Sequence, residues 1–163
     1  MKPLYERLRD VPQVGRVTWL GLRPEHGAAI VPLEEVELVT GRGAQGDIAA
    51  RSKAGHGRQV TLLQEEHLPV LAGLTGAIEV RPEQLRRNVL VAGINLLALV
   101  KLRFAVGEAV LEGSGHCAPC AKMDALLGPG GFQAVRGHGG ITARVLSGAV
   151  VRIGDPVRVL NDD

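Results

Sequence analysis

The sequence is poor in aromatic residues. Of 163 residues, only Tyr5, Trp19, Phe104 and Phe132 carry a Phe, Tyr or Trp ring. The interior must therefore be built from Val, Leu, Ile and Ala. Proteins that bind single-stranded nucleic acid by stacking need repeated exposed rings, which this chain cannot supply. It also has no charge of one dominant sign. Nineteen Lys and Arg face seventeen Asp and Glu, a net charge of +2, and the basic residues have acids beside them. That balance excludes a general nucleic-acid or membrane-surface binder. No apolar run reaches the ~18 residues of a membrane helix; the longest, Val89–Val100, is broken by Gly93 and Asn95. The opening residues, MKPLYERLRDVP, hold charges but no apolar core of a secretory signal. Two cysteines close together, Cys117 and Cys120, do not make an extracellular disulfide framework. The expectation is a cytoplasmic protein with neither nucleic acid nor membrane as partner.

What remains is globular: 45% hydrophobic and 22% charged residues, in a length that suits one domain. Residues 1–13 read as a leader with one helical turn ended by Pro12, and residues 14–163 as a single domain. Val14–Leu22, Val36–Leu38, Gln59–Leu63 and Asn88–Val91 read as strands on their β-branched and apolar content. Glu65–Leu74, with Gly76 beyond its end, reads as a short helix containing Pro69, and Pro82 opens another turn. Two similar phrases, Val106-Gly107-Glu108-Ala109-Val110 and Ile153-Gly154-Asp155-Pro156-Val157, look like hairpin turns between short strands. Many short strands and few helices predict a mainly-β barrel with small helical excursions. Nothing resembles a dinucleotide-binding glycine motif after a strand.

Chemistry concentrates in Gly113–Gly140, which holds both cysteines, His116, His138, Arg136 and eight glycines. Glycine lets backbone N–H groups approach a ligand closely. Cys120 precedes Ala121–Leu127, read as a short helix, so its thiolate gains from a helix start and from Lys122 nearby. A thiolate is also the form that binds a soft metal. Cys117-Ala118-Pro119-Cys120 is open to three readings: inert buried thiols, a redox pair lacking the expected βαβ setting, or a zinc site with His116 and His138. Two further segments carry anion-binding residue types. One is the glycine-rich, basic loop Gly41–Arg58; the other is Arg86-Arg87-Asn88 at the head of a strand. Arginine forks grip phosphate oxygens in pairs, and Asn holds polar ring or sugar edges.

Taken in order, Gly46-Asp47, Arg86-Arg87-Asn88-Val89 with Gly93, Cys117–Cys120, Gly139-Gly140 and the closing strand pair with Gly154-Asp155 resemble the MOSC domain, named for the C-terminal domain of molybdenum-cofactor sulfurase. The resemblance spans roughly residues 14–160. It implies a MOSC-like β-barrel with a few short helices and an association with the molybdenum cofactor. It places Cys120 at the position that carries sulfur or ligates molybdenum, which makes it the candidate catalytic and metal-binding residue. Arg86 and Asn88 match residues that hold the pterin and its phosphate. Arg87, Arg58 and Arg136 complete the candidate cofactor-binding set. The chain has no aminotransferase-like portion, so no pyridoxal phosphate is expected, and no cysteine-rich ferredoxin segment.

Two functions compete on this resemblance. One is a small molybdoenzyme that reduces N-hydroxylated small molecules with electrons from a partner flavin or iron–sulfur protein. The other is a sulfur carrier or cofactor-binding module that takes a persulfide on Cys120 from a cysteine desulfurase. A structural zinc domain is the weaker third.

Overall fold

The computed structural model describes residues 1–161. Asp162 and Asp163, which the sequence reading includes in the domain, lie outside the described residues. In chain order the strands are β1 (Gly15–Leu22), β2 (Val31–Leu33), β3 (Glu35–Val39), β4 (Gly43–Ala44), β5 (Val60–Gln64) and β6 (Val89–Ala92). They continue with β7 (Arg103–Val106), β8 (Ala109–His116), β9 (Ile141–Ser147), β10 (Ala149–Arg152) and β11 (Pro156–Val159). Short helices interrupt them: α1 (Leu4–Arg7), α2 (His67–Thr75), α3 (Pro82–Leu85), α4 (Met123–Leu127) and α5 (Gly131–Val135). None of these helices is long and apolar enough to cross a membrane.

Seven strands hydrogen-bond in the order β11-β7-β8-β9-β5-β6-β1, and β1 pairs back to β11 at Gly15↔Val157, closing a barrel. An odd ring cannot be antiparallel throughout. The β5–β6 pair is the parallel one, and parallel neighbours need a long crossover. That crossover carries α2 and α3. β2 extends β1 outside the ring, and β3, β4 and β10 form a second, smaller sheet.

Alternation along the strands divides the apolar residues between two clusters. Val60, Leu62, Val89 and Val91 face the barrel interior with Val17, Leu20, Phe104, Leu111, Ile141 and Val157. Leu63 and Leu90 face outward, onto Leu71, Val80, Leu85, Met123 and Val135 of the helical layer. The outer cluster fixes the crossover and α4–α5 against the same side of the barrel.

Most of the expected elements form, with shifted ends. α2 starts at His67, so Pro69 falls in the first turn, where its missing N–H costs no helical bond. The helix stops at Gly76, whose φ of +74° suits glycine. The two similar turn phrases are neighbours in space: the Gly107 N–H donates to the Pro156 carbonyl, at the β7–β11 edge. Two expectations are corrected, and one strand is added to those expected. α1 ends at Arg7, well before Pro12. The Gly41–Arg58 loop is partly ordered, with β4 and a 3-10 turn over Ile48–Arg51 in which the Asp47 carboxylate caps the Ala49 N–H. The strand following Gly140 is β9, in the middle of the barrel wall, and β8 runs on through Gly113 and Gly115 to meet it. Glycine is a poor strand former, but Gly113 lies so close to the Leu99 carbonyl that any Cβ would collide with it.

Candidate functional site

β8 ends at His116, and the Cys117–Cys120 segment leaves the barrel there. The Cys117 N–H donates to the Gly140 carbonyl at 2.9 Å, which ties the segment to the start of β9. Between them opens a cleft of about 240 Å³ lined by His116, Cys117, Ala118, Pro119, Arg136, Gly137, Gly139 and Gly140. Cys117 is buried and Cys120, just past the cleft, is exposed. Under Gly139 lies Arg87, 7% exposed. Its Nε donates to the Gly139 carbonyl at 3.0 Å and its Nη1 to the Leu85 carbonyl at 2.7 Å. Its Nη2 is buried without a hydrogen-bond partner. A Cβ on Gly139 would sit 3.2 Å from that nitrogen and 2.5 Å from the Cys117 carbonyl. Glycine at this position leaves room for the guanidinium beneath it.

Arg87 is held below the ordinary arginine pKa. Burial is the largest cause; the thiols of Cys117 and Cys120 oppose it, and the positive charges of Arg23 and Arg58 add to it. Three guanidinium groups and two thiols thus share one neighbourhood. Such a field favours a bound anion. Arg23 is oriented by Asp47, which is fully buried. The Asp47 carboxylate accepts from the Arg23 backbone N–H at 2.8 Å, Nε at 3.2 Å and Nη2 at 2.8 Å. It also accepts from the Ala49 N–H at 2.9 Å and from Asn88 Nδ2 at 2.8 Å. Burial by itself raises the Asp47 pKa, but the bonds and charge of Arg23 outweigh it and hold the carboxyl below its usual value.

The residues singled out from the sequence separate into those near the thiols and those elsewhere. Arg87 and Arg58 are near, and Arg136 lines the cleft while its Nη1 donates to Gln133 Oε1 at 2.9 Å. Arg86 is not part of this group. Its φ is +57°, and its Nη1 donates to the Ala28 carbonyl at 2.6 Å, in the loop after β1. Asn88 is corrected from a ligand contact to a framework residue. Its Oδ1 accepts from the Thr61 N–H and Oγ1, and its Nδ2 donates to the Gly21 carbonyl and Asp47. An amide side chain offers two donors and two acceptor sites, so no capacity is left for a ligand.

Two further expectations change. Cys120 is not at a helix start: α4 begins at Met123, whose N–H donates to the Cys120 carbonyl at 3.0 Å. The cation beside the thiols is Arg87 rather than a helix end. A four-ligand zinc site does not assemble either, since among the described residues no group of three or more His, Cys, Asp or Glu is gathered to hold a metal ion. His138 Nδ1 instead donates to the Ala134 carbonyl at 3.1 Å, and the His138 ring meets the His67 ring edge-on, centroids 5.4 Å apart.

Sequence reading missed Arg23. The one signal for it was Asp47, an acid in an otherwise basic loop, which needs a cation once buried. A larger hollow of about 850 Å³ lies beneath the N-terminal segment, lined by Lys2, Tyr5, Glu6, Lys101 and Arg103 among others. It holds no thiol, so volume does not locate the chemistry; the orphaned guanidinium and the cysteines do.

The family model of the MOSC domain matches residues 49–158, which contain the two cysteines, Arg58, Arg87 and Arg136. The chain belongs to the MOSC domain family. Solved structures share the fold. The YuaD protein of Bacillus subtilis superposes with a TM-score of 0.78 at 19% identity, over 94% of this chain and 100% of that one. YiiM from Geobacillus stearothermophilus gives 0.72 at 17% identity, over 90% and 75% of the two chains. YiiM from Escherichia coli gives 0.67 at 19% identity, over 91% and 71%. No curated protein matches the sequence.

Proposed function

We propose that this MOSC protein binds the molybdenum cofactor at the Cys117–Gly140 cleft and reduces N-hydroxylated small molecules in the cytoplasm. The observation that carries the reading is the buried, unpartnered Nη2 of Arg87 beside two free thiols. An orphaned charged donor of this kind is costly unless a ligand supplies the acceptor. The donor set suits the group: a thiolate is a soft ligand, and clustered guanidinium forks suit a phosphate. Cys120, exposed, would hold the metal through Sγ. Arg87, with Arg23 and Arg58 around it, would hold the phosphate, and Asp47 and Asn88 keep Arg23 and the head of β6 in place. Arg136 and His116 at the cleft would meet the substrate. When bound, the cofactor supplies a metal able to accept and release oxygen in two-electron steps. The net reaction takes two electrons and two protons, breaks the N–O bond and releases water. The electrons come from a partner flavin or iron–sulfur protein.

The exposure of Cys120 favours one alternative, a carrier that receives a persulfide from a cysteine desulfurase and has no turnover of its own. One experiment separates the two. Protein purified from cells that make the cofactor is given a chemically reduced viologen and an N-hydroxylated amidine. The proposal expects amidine formation by the unmodified chain and none by Cys120→Ser. No turnover, together with cyanide-labile sulfur that is lost in Cys120→Ser, supports the carrier and overturns the enzyme.

A further inference from the structure

The enzyme reading needs electrons from another protein and assigns that protein no place on the barrel. We infer that the basic loop Gly41–Arg58 is the docking surface for an acidic electron-carrier protein bearing a flavin or an iron–sulfur cluster. The inference rests on the enzyme reading and adds the partner's charge and its point of approach.

The charge on this loop is concentrated and unpaired. From Gly41 to Gln64 the chain holds Arg42, Arg51, Lys53 and Arg58, and Asp47 is the only acid. Asp47 is fully buried and bound by Arg23, so it neutralises none of them. All four cations are exposed. Among the described residues none of them has a carboxylate within ion-pair distance, whereas Lys2, Arg144 and Arg152 are paired with Asp10, Glu112 and Glu35. The whole chain carries a net charge of only +2, so the excess is local. An unneutralised patch of this kind steers an oppositely charged protein and fixes where it lands.

The patch is also folded. Arg42 Nη1 donates to the Ser52 carbonyl at 3.1 Å, which brings its guanidinium to the residue between Arg51 and Lys53. The Gly55 N–H donates to the Gly41 carbonyl at 2.9 Å. His56 Nε2 donates to the Ala49 carbonyl at 3.1 Å, and the Arg58 N–H donates to His56 Nδ1 at 3.3 Å. These bonds hold the charges together, so a partner has less ordering to impose on binding.

Its position suits delivery to the thiols. Ser114 Oγ donates to the Gly57 carbonyl, and Ser114 stands on β8 two residues before His116, where the Cys117–Cys120 segment begins. The Arg58 charge acts on the buried Arg87 beside the cysteines. A nucleic acid would meet the same charge, but residues 41–64 hold no Phe, Tyr or Trp on which to stack a base. Each turnover takes two electrons, from one fully reduced flavin or from two reduced clusters in succession, with two protons from solvent. The carrier is oxidised and the N–O bond is reduced.

The test is calorimetric binding to the ligand-free full chain at low and at physiological salt, with an acidic flavodoxin and an acidic plant-type ferredoxin as probes. Arg51→Glu combined with Lys53→Glu reverses the patch. Arg16→Glu combined with Arg158→Glu reverses two exposed cations on β1 and β11 and changes the net charge equally. At least one probe should bind the unmodified chain, more weakly at higher salt. Its affinity should fall roughly tenfold or more in the loop variant and by less than about threefold in the β1–β11 variant, whose charges are screened from the patch. Binding of neither probe, or equal losses in the two variants, overturns the inference. So does a short single-stranded oligonucleotide that binds through Arg51 and Lys53 more tightly than either carrier. Reduced viologen needs no docking, so cofactor-loaded loop variant should turn over with it at the unmodified rate. Viologen turnover with carrier binding indifferent to the loop defeats the docking surface alone; no viologen turnover by the unmodified chain defeats the enzyme reading and this inference with it.

Discussion

Replacing Arg87 by Met probes the anion site at the group that defines it. The guanidinium gives two bonds to backbone carbonyls, Gly139 and Leu85, and keeps Nη2 free. A charge-assisted hydrogen bond from Nη2 to a phosphate oxygen is worth about 1.5–3 kcal/mol, which corresponds to roughly a 10- to 150-fold change in Kd. The effect on the fold is smaller. Two buried carbonyls lose their donors at about 1–3 kcal/mol each, but a buried cation repelled by Arg23 and Arg58 also disappears. Exchanging a buried charge for an apolar side chain of similar volume is often neutral or better, so net stability should move by no more than about 2 kcal/mol. The assay is calorimetric titration with inorganic phosphate, with urea unfolding in parallel. Arg86→Met is the control: its side chain is committed to the Ala28 carbonyl, and phosphate affinity should stay within about twofold. An unchanged Kd in Arg87→Met, or a large loss in Arg86→Met, would refute the assignment.

Other expectations are independent of any ligand. Asp47→Asn removes one partner of a buried ion pair and should cost about 3–5 kcal/mol at neutral pH. Because the folded Asp47 pKa lies below its unfolded value, its stabilisation is present above about pH 4 and is lost as pH falls through the depressed folded value; urea midpoints of the variant should vary less in that acid range. Gly140 has a φ of +82°, and a Cβ there would strike the Leu62 carbonyl; Gly140→Ala should cost at least about 3 kcal/mol, the upper end of ordinary substitutions. Gly128, with a φ of +88° and open space around it, should lose only about 1–2 kcal/mol as Ala, and the pair of thermal melts checks the contrast. Burial, and then the neighbouring His138, hold His67 below the usual histidine pKa. Its contribution is therefore intact above about pH 6.5 and declines below it, as the unfolded imidazole takes up a proton the folded one resists. His67→Phe should flatten that decline.

Local pattern carried most of the fold. β5 and β6 were legible because their apolar, β-branched runs are buried on both faces, β1 because of its apolar content, and α2 because a glycine in left-handed conformation closes it. β9 was not. Its approach through Gly137, Gly139 and Gly140 reads as loop, and only its pairing with β8 and β5 makes it a barrel strand. The site divides in the same way. Cys120 and the arginine pair stood out as chemical types. Which arginine reaches the thiols was hidden, because adjacent residues point apart at a strand head and Arg86 takes a left-handed conformation. Asn88 looked like a ligand contact because burial, which fills all its bonds with Thr61, Gly21 and Asp47, is a tertiary fact. Arg23 becomes visible only once Asp47 is seen to be buried.

The most direct measurement is the molybdenum and pterin content of three chains purified side by side from cells that make the cofactor: unmodified, Cys120→Ser and Cys117→Ser. The account predicts molybdenum and pterin together in the unmodified chain, both retained in Cys117→Ser, and the metal lost in Cys120→Ser while the fold, checked by circular dichroism, persists. Equal molybdenum in the unmodified chain and Cys120→Ser, or loss in Cys117→Ser alone, would contradict it.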